Sequence, residues 1–459
     1  MKQDIHMSAM NDIDEEERML RSPSTEDQES DVPTTISSIK RCLYTSHLLS
    51  TWNARMFEYG AVLFLAHIYD ESFVALSLYA LARSLASVLF SPRVGQYIDA
   101  RERLVAARHS IVYQRSAVIL SCLAFFGMIA FPSKTIRGGL LFILIGCACI
   151  ERLCAVMNLL LVERDWVVVI ASGDEHLLTQ LNSQMRRIDL ICKLVGPLAI
   201  SFVDSFFSLT MSVLIVFLLN FGCVFIEYFT IAKVHSLVPA LQKKSHIEQQ
   251  EHGNRSGMRT PWSDVKFYMG HPIFLASFAL STLYFTVLSF GPQMVALLLF
   301  KGIDPAAIGT VRAGAVVMEL SATWIAPRMM DAIGSKRAGS LFISYQCVCL
   351  IVALSLFLTV WGTGGTWILV GGVILSRMGL WGFDLCVQVE VQKGVEEENR
   401  SRFSAMESSL QSAFDLMSYV VTIIWSQPDQ FHYPATISVG AVVTAAVTYF
   451  RYASKVQHH

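Results

Sequence analysis

Asn182-Ser183-Gln184-Met185-Arg186-Arg187-Ile188-Asp189-Leu190-Ile191-Cys192-Lys193 runs without a break into Leu194-Val195-Gly196-Pro197-Leu198-Ala199-Ile200. On a helix, Asn182, Arg186, Asp189 and Lys193 fall at i, i+4, i+7 and i+11, so one stripe carries all four. The apolar continuation takes that stripe into hydrocarbon. Charges are costly there and face a bundle interior or a water-filled path. For Arg187 and Lys193 a plain helix end with snorkelling stems is the competing reading. Asp189 is too short to snorkel far and needs a cation or a ligand.

The composition agrees with a membrane helix. Of 459 residues, 53% are hydrophobic and 16% charged, against about 25% charged in a soluble domain. Mean hydropathy is +0.47. This balance predicts an all-α integral membrane protein. A formal net charge of −1 implies no nucleic-acid partner. The ten cysteines have no CxxC or zinc-finger spacing and read as small apolar fillers. No nucleotide-binding loop, nucleophile elbow or HExxH stands in the chain, so no enzyme is expected.

Apolar segments long enough to cross a bilayer recur near 43–68, 72–92, 108–131, 138–163, 176–203, 207–235, 271–300, 304–326, 337–361, 365–392, 402–426 and 432–453. About twelve transmembrane helices therefore form two six-helix halves, 43–235 and 267–453. A polar cytosolic linker, 236–266, joins them. Residues 1–42, with Asp14-Glu15-Glu16-Glu17, read as a disordered cytosolic tail without a cleavable signal peptide, and 454–459 as a short cytosolic C-terminal tail. Two halves with a path between them is the plan of the major facilitator superfamily. Arginines and lysines crowd the even-numbered connections, so both termini are expected in the cytosol.

Polar residues inside the spans mark the path. Arg55 and Glu58, three apart, form either a self-neutralising pair or a ligand with its counter-cation. Glu151-Arg152 in the fourth span has no evident role beyond pairing. Gly291-Pro292 interrupts the seventh span, giving either a kink or free carbonyls for a cation. The eighth span carries Arg312 and Glu319; the tenth carries Arg377, Trp381, Asp384 and Gln388; the eleventh carries Glu407, Gln411 and Asp415. Such stripes describe an aqueous cleft lined by oxygen ligands, suited to a hydrated cation. Arg93–Arg103, which contains Asp99, looks like the charged loop that locks adjacent helices in major facilitators.

Several stretches resemble ferroportins, the solute carrier family 40 iron exporters. They are Ser50-Thr51-Trp52-Asn53-Ala54-Arg55-Met56-Phe57-Glu58, Glu163-Arg164-Asp165-Trp166-Val167-Val168-Val169, Arg186-Arg187-Ile188-Asp189-Leu190, His271-Pro272, Thr286-Val287-Leu288-Ser289-Phe290-Gly291 and Arg377-Met378-Gly379-Leu380-Trp381-Gly382-Phe383-Asp384-Leu385. The resemblance implies export of Fe2+, with Co2+, Ni2+ and Zn2+ as further cargo, by alternating access and without a cofactor. Asp189 matches the family's fifth-helix metal ligand. Ala54 and Glu58 stand where vertebrate members have Asp and His, as in plant and fungal members. Lys193 replaces a vertebrate Asn. Asp165, Asn182 and Arg400 match the cytosolic gate, although Leu190 stands where that network has Gln. Pro292 and Ser418 replace the C-half Cys and His, so control by a peptide hormone is not expected.

The assignment that follows places metal at Glu58 and Asp189, with Arg55 and Lys193 as site cations. Asp384, Gln411 and Asp415 line the C-half path, and Asp99, Asp165, Asn182, Arg186 and Arg400 form the gate. The protein is expected to act as a monomer in the plasma or vacuolar membrane. Two other functions fit the sequence. One is a facilitator holding an organic anion with Arg186, Arg312 and Arg377; the other is a non-transporting receptor or scaffold.

Overall fold

A chain that crosses hydrocarbon must satisfy its backbone internally, and here helices do so. The computed structural model describes residues 25–69, 74–242, 261–290, 292–303, 305–360, 363–425, 427 and 430–455, and every regular element among them is helical. The first part of the expected tail (1–24), the centre of the linker (243–260), Gly291 and the end of the C-terminal tail (456–459) lie outside the described residues.

The N-terminal half contains α1 (Thr25–Ile68), α2 (Val74–Asp99), α3 (Arg103–Ala130), α4 (Lys134–Asn158), α5 (Val167–Ala171), α6 (Glu175–Phe206) and α7 (Leu209–Leu237). The short α8 (Pro239–Gln242) and α9 (Pro261–Gly270) follow. The C-terminal half contains α10 (Phe274–Thr282), α11 (Pro292–Phe300), α12 (Pro305–Ile333), α13 (Ser335–Thr359), α14 (Thr363–Gly394), α15 (Glu397–Ile424) and α16 (His432–Lys455). A π-helical segment, Leu159–Trp166, joins α4 to α5 as one crossing. With α10 and α11 taken as one broken crossing, each half supplies six.

Among the described residues, seven crossings are long and apolar enough to span by composition alone: α2, α3, α4–α5, α7, α13, α14 and α16. The others are the broken crossing and α1, α6, α12 and α15, all four of which carry charged residues that line the path, as does α14. Several boundaries differ from expectation, with α2 running on to Asp99 rather than 92 and α12 to Ile333 rather than 326. Helix α1 begins at Thr25 rather than 43, so residues 25–42 are helical. Ile39 and Leu43 are buried in the core, at the i, i+4 spacing of an amphipathic helix. The fourth crossing runs on to Ala171, which puts Asp165 inside a helix. The seventh breaks over residues 283–290, ahead of Pro292, which opens α11, the helix position where proline costs no hydrogen bond.

The halves touch along α2–α15 and α6–α12. At the end of the bundle that holds the Ala100–Glu102 turn, here called basal, one apolar core runs through both halves and includes Ile98, Trp166, Met185, Phe403 and Val391. Towards the opposite, apical end the N-terminal half has its own core around Phe57, Phe64, Phe125 and Met128. The halves are therefore fused basally and separate apically. Gly95 allows the basal contact, since a Cβ there would lie 2.7 Å from Cβ of Ala405. Within the N-terminal half, buried Arg115 of α3 donates to Glu227 (2.6 Å) and Asn220 (3.0 Å) of α7.

Candidate functional site

The apical separation exposes a row of alternating charges. Helix α6 begins at Asp174, whose side chain caps the N–H groups of His176 and Leu177, and it carries Arg186, Asp189 and Lys193 into the cleft. Gly196 lets α1 approach, because a Cβ there would sit 3.1 Å from that of Arg55. Arg55 consequently lies between two carboxylates, with Nη1 3.2 Å from Oε2 of Glu58 and Nη2 2.9 Å from Oδ1 of Asp189.

The row extends both ways. Arg83 of α2 lies 3.5 Å from the other oxygen of Glu58 and 2.8 Å from Glu151 of α4. Gln114 of α3 donates to the second oxygen of Glu151 at 3.2 Å. On the far side, Arg186 is 3.9 Å from Asp189 and 2.6 Å from Asp384 of α14. The order Glu151–Arg83–Glu58–Arg55–Asp189–Arg186–Asp384 thus crosses from one half to the other. Glu58 is its most open carboxylate, with 42% of the side chain exposed against 18% for Asp189 and 2% for Glu151.

Lys193 pairs with Glu319 of α12 at 3.9 Å while staying within electrostatic reach of Asp189, and its ammonium lies over Trp381, 5.2 Å from the ring centroid. Its long stem lets it cross to the other half. Arg186, expected in the gate, reaches both sets of groups on α14: it pairs with Asp384 in the cleft and donates at 3.4 Å to Gln388, which in turn donates to Asn182. At the broken crossing buried Arg377 donates to the Leu288 carbonyl, and the Ser438 hydroxyl accepts from the N–H of Val287 at 2.9 Å. Gln411 donates to Glu407 at 3.4 Å. Asp415 lies half-buried within electrostatic reach of Arg152 and Glu58.

The basal end is tied across the halves. Arg103 holds buried Asp165 through Nε (2.7 Å) and Nη2 (3.2 Å), and also pairs with Glu397. Arg400 reaches Asp165 at 3.3 Å. Next to them Arg164 pairs with buried Glu407 at 2.8 Å, and Ser277 donates to the same carboxylate. Asn182 donates to Gln392 (2.6 Å) and accepts from Gln388 (3.2 Å). Asp264 takes Gln96 and Arg402. Asp99 ends α2 at this same end. Asp165 and Arg400 thus meet directly, and Asn182 is tied through Gln392 to the carbonyl of Glu163. Arg83, Arg115, Glu227 and Gln392 were not singled out from the sequence. The first three had a legible signal, a lone charge in an apolar run, and Gln392 had none.

Twelve crossings in two halves, fused at one end and lined with charge between them, define a multi-pass integral membrane protein of the major facilitator fold. A proton:xylose symporter of the major facilitator superfamily superposes with a TM-score of 0.65 at 13% identity, covering 91% of this chain and 96% of its own. The Ferroportin1 (FPN1) family model matches residues 37–442, and the chain belongs to that family. It is 31% identical over 450 residues to solute carrier family 40 member 1 of Oryza sativa subsp. japonica, with 92% of each chain covered. A bacterial homologue of the iron transporter ferroportin has a TM-score of 0.80 in its outward-facing state, at 21% identity with 91% and 99% covered. Its inward-facing state scores 0.61 at 21% identity, with 91% and 98% covered.

Proposed function

We propose that this chain exports divalent metal ions, ferrous iron first and Co2+, Ni2+ or Zn2+ as further cargo, by alternating access. The observation that carries the reading is the Arg55 guanidinium between Glu58 and Asp189. A tethered cation occupies the space between two carboxylates that face a cleft, where a transported cation would bind. Membership of the ferroportin family supplies the metal.

In this reading the basal end is cytosolic, both termini lie in the cytosol, and the protein works as a monomer in the plasma or vacuolar membrane. The ion enters when the Asp165 and Glu407 pairs part, displaces Arg55, and leaves apically once those pairs re-form. Two carboxylates leave most of the ion's coordination to water and neutral oxygens, which suits passage rather than storage. The organic-anion reading has little support: Arg312 is exposed, Arg377 is committed to the Leu288 carbonyl, and Arg186 sits between acids.

Calorimetric titration of the purified protein with Fe(II), Co(II), Ni(II) and Zn(II) tests this. Wild type is expected to bind at least one ion, and Glu58→Gln to weaken that binding by about tenfold or more, 1.4 kcal/mol. Heat with organic anions and none with metal would favour the solute facilitator.

A further inference from the structure

The cleft holds a second arginine on Glu58 that neither the gate nor the metal pair accounts for. Arg83 stands alone in an apolar run, Leu81-Ala82-Arg83-Ser84-Leu85, on a helix otherwise long and apolar enough to face lipid. Its guanidinium is shared unequally. One nitrogen is 2.8 Å from Glu151, the other 3.5 Å from Glu58. Glu151 is held in place from its other side by Gln114 and is almost wholly buried, so it keeps a strong claim on a cation. Glu58 is the exposed partner, and its remaining oxygen belongs to Arg55.

We infer that Arg83 is a second tethered cation for the metal site, parked on Glu151, and that the Arg83–Glu151 pair sets how tightly Glu58 holds metal. This rests on the reading of Glu58 as a metal ligand. An arriving ion can displace Arg55, which is attached to the same helix as Glu58. Arg83 comes from another helix and stays, because Glu151 anchors it. Glu58 is therefore partly neutralised even when metal is bound. A transporter needs that moderation, since an ion held by two fully charged carboxylates would leave slowly. The arrangement also fixes the sign of two substitutions. Removing Arg83 gives Glu58 its full charge and tightens binding. Neutralising Glu151 releases Arg83 onto Glu58 and weakens binding. Both residues act through Glu58, so they are positioning residues.

Co(II) titration of full-length protein, paired with Co(II) release from loaded proteoliposomes, tests the inference. Arg83→Gln is expected to raise Co(II) affinity about tenfold and slow release, the effect of removing one unit charge a few ångströms from a part-exposed carboxylate. Arg83→Gln also leaves Glu151 without its cation, so the double variant Arg83→Gln/Glu151→Gln, which buries no lone charge, should show the same tightening if the single variant folds poorly. Glu151→Gln is expected to lower affinity by a similar factor, and Arg83→Lys to stay near wild type. A gain in affinity is something misfolding does not produce. Unchanged affinity in both Arg83→Gln and the double variant, or shifts of the same sign for Arg83→Gln and Glu151→Gln, overturns the inference while Glu58-dependent binding stands. Co(II) binding that is absent, or indifferent to Glu58→Gln, overturns the metal-ligand reading and this inference with it.

Discussion

Asp189→Ala is expected to abolish metal efflux and leave the protein folded. The charge row explains why both should hold. Removing one member of a buried pair normally strands its partner, at a cost of about 3–5 kcal/mol. Here Arg55 keeps Glu58 and Arg186 keeps Asp384, so neither cation is orphaned when Asp189 is lost. What disappears is one of the two carboxylates proposed to bind metal. Efflux of Fe(II) or Co(II) from loaded vesicles should fall to background, while the melting temperature and elution profile stay close to wild type. Asp189→Asn should behave alike, since the amide keeps the shape and loses the charge. Undiminished efflux would remove Asp189 from the transport path.

Asp165→Ala should have the opposite profile, shifting conformation more than chemistry. Asp165 is the common acceptor of Arg103 and Arg400, whose side chains are 3% and 8% exposed. Without it, two guanidiniums share Glu397 alone. That cost is specific to the basally closed arrangement, because parting the halves returns both cations to water. A penalty of about 3–5 kcal/mol on one state changes its population ratio by roughly two to three and a half powers of ten. A cysteine placed at Ser401, buried where α15 meets Gly95 of α2, should react with a membrane-impermeant maleimide from the proposed cytosolic side in the Asp165→Ala background. In the parent it should be protected. Equal protection in both would mean that Asp165 does not hold that end shut.

Much of this architecture is legible in the sequence, and what is not legible has identifiable causes. The crossings follow from apolar length, and the stripe on α6 follows from helical spacing. That stripe correctly brings Asn182 to the basal end and Asp189 to the cleft. Pairing across helices is harder to read. The spacing puts Arg186 on the stripe, but only the fold shows that it reaches Asp384 and Gln388 on α14. Lys193 stays within electrostatic reach of Asp189, and its four-carbon stem also takes it to Glu319 on the other half. Isolated charges such as Arg83 and Glu151 mark themselves as costly in hydrocarbon, and only the three-dimensional arrangement shows that each is the other's partner. At the broken crossing the sequence located the break within a few residues. It could not show that a guanidinium 89 residues away would take the Leu288 carbonyl.

The π-helical segment Leu159–Trp166 gives the basal lock a rotational phase. A wider turn changes the angle between successive side chains, and this one presents Glu163, Arg164 and Asp165 to three different helices: the carbonyl of Glu163 to Gln392 on α14, Arg164 to Glu407 on α15, and Asp165 to Arg103 on α3 as well as Arg400 on α15. An ordinary helix advances about 100° per residue. Taking up the extra residue of the wide turn would swing the neighbouring charges off their partners by about that angle. Chain length in this one turn therefore matters as much as side-chain identity. With every charged residue intact, a helix wound one residue differently would hold the right groups facing the wrong way.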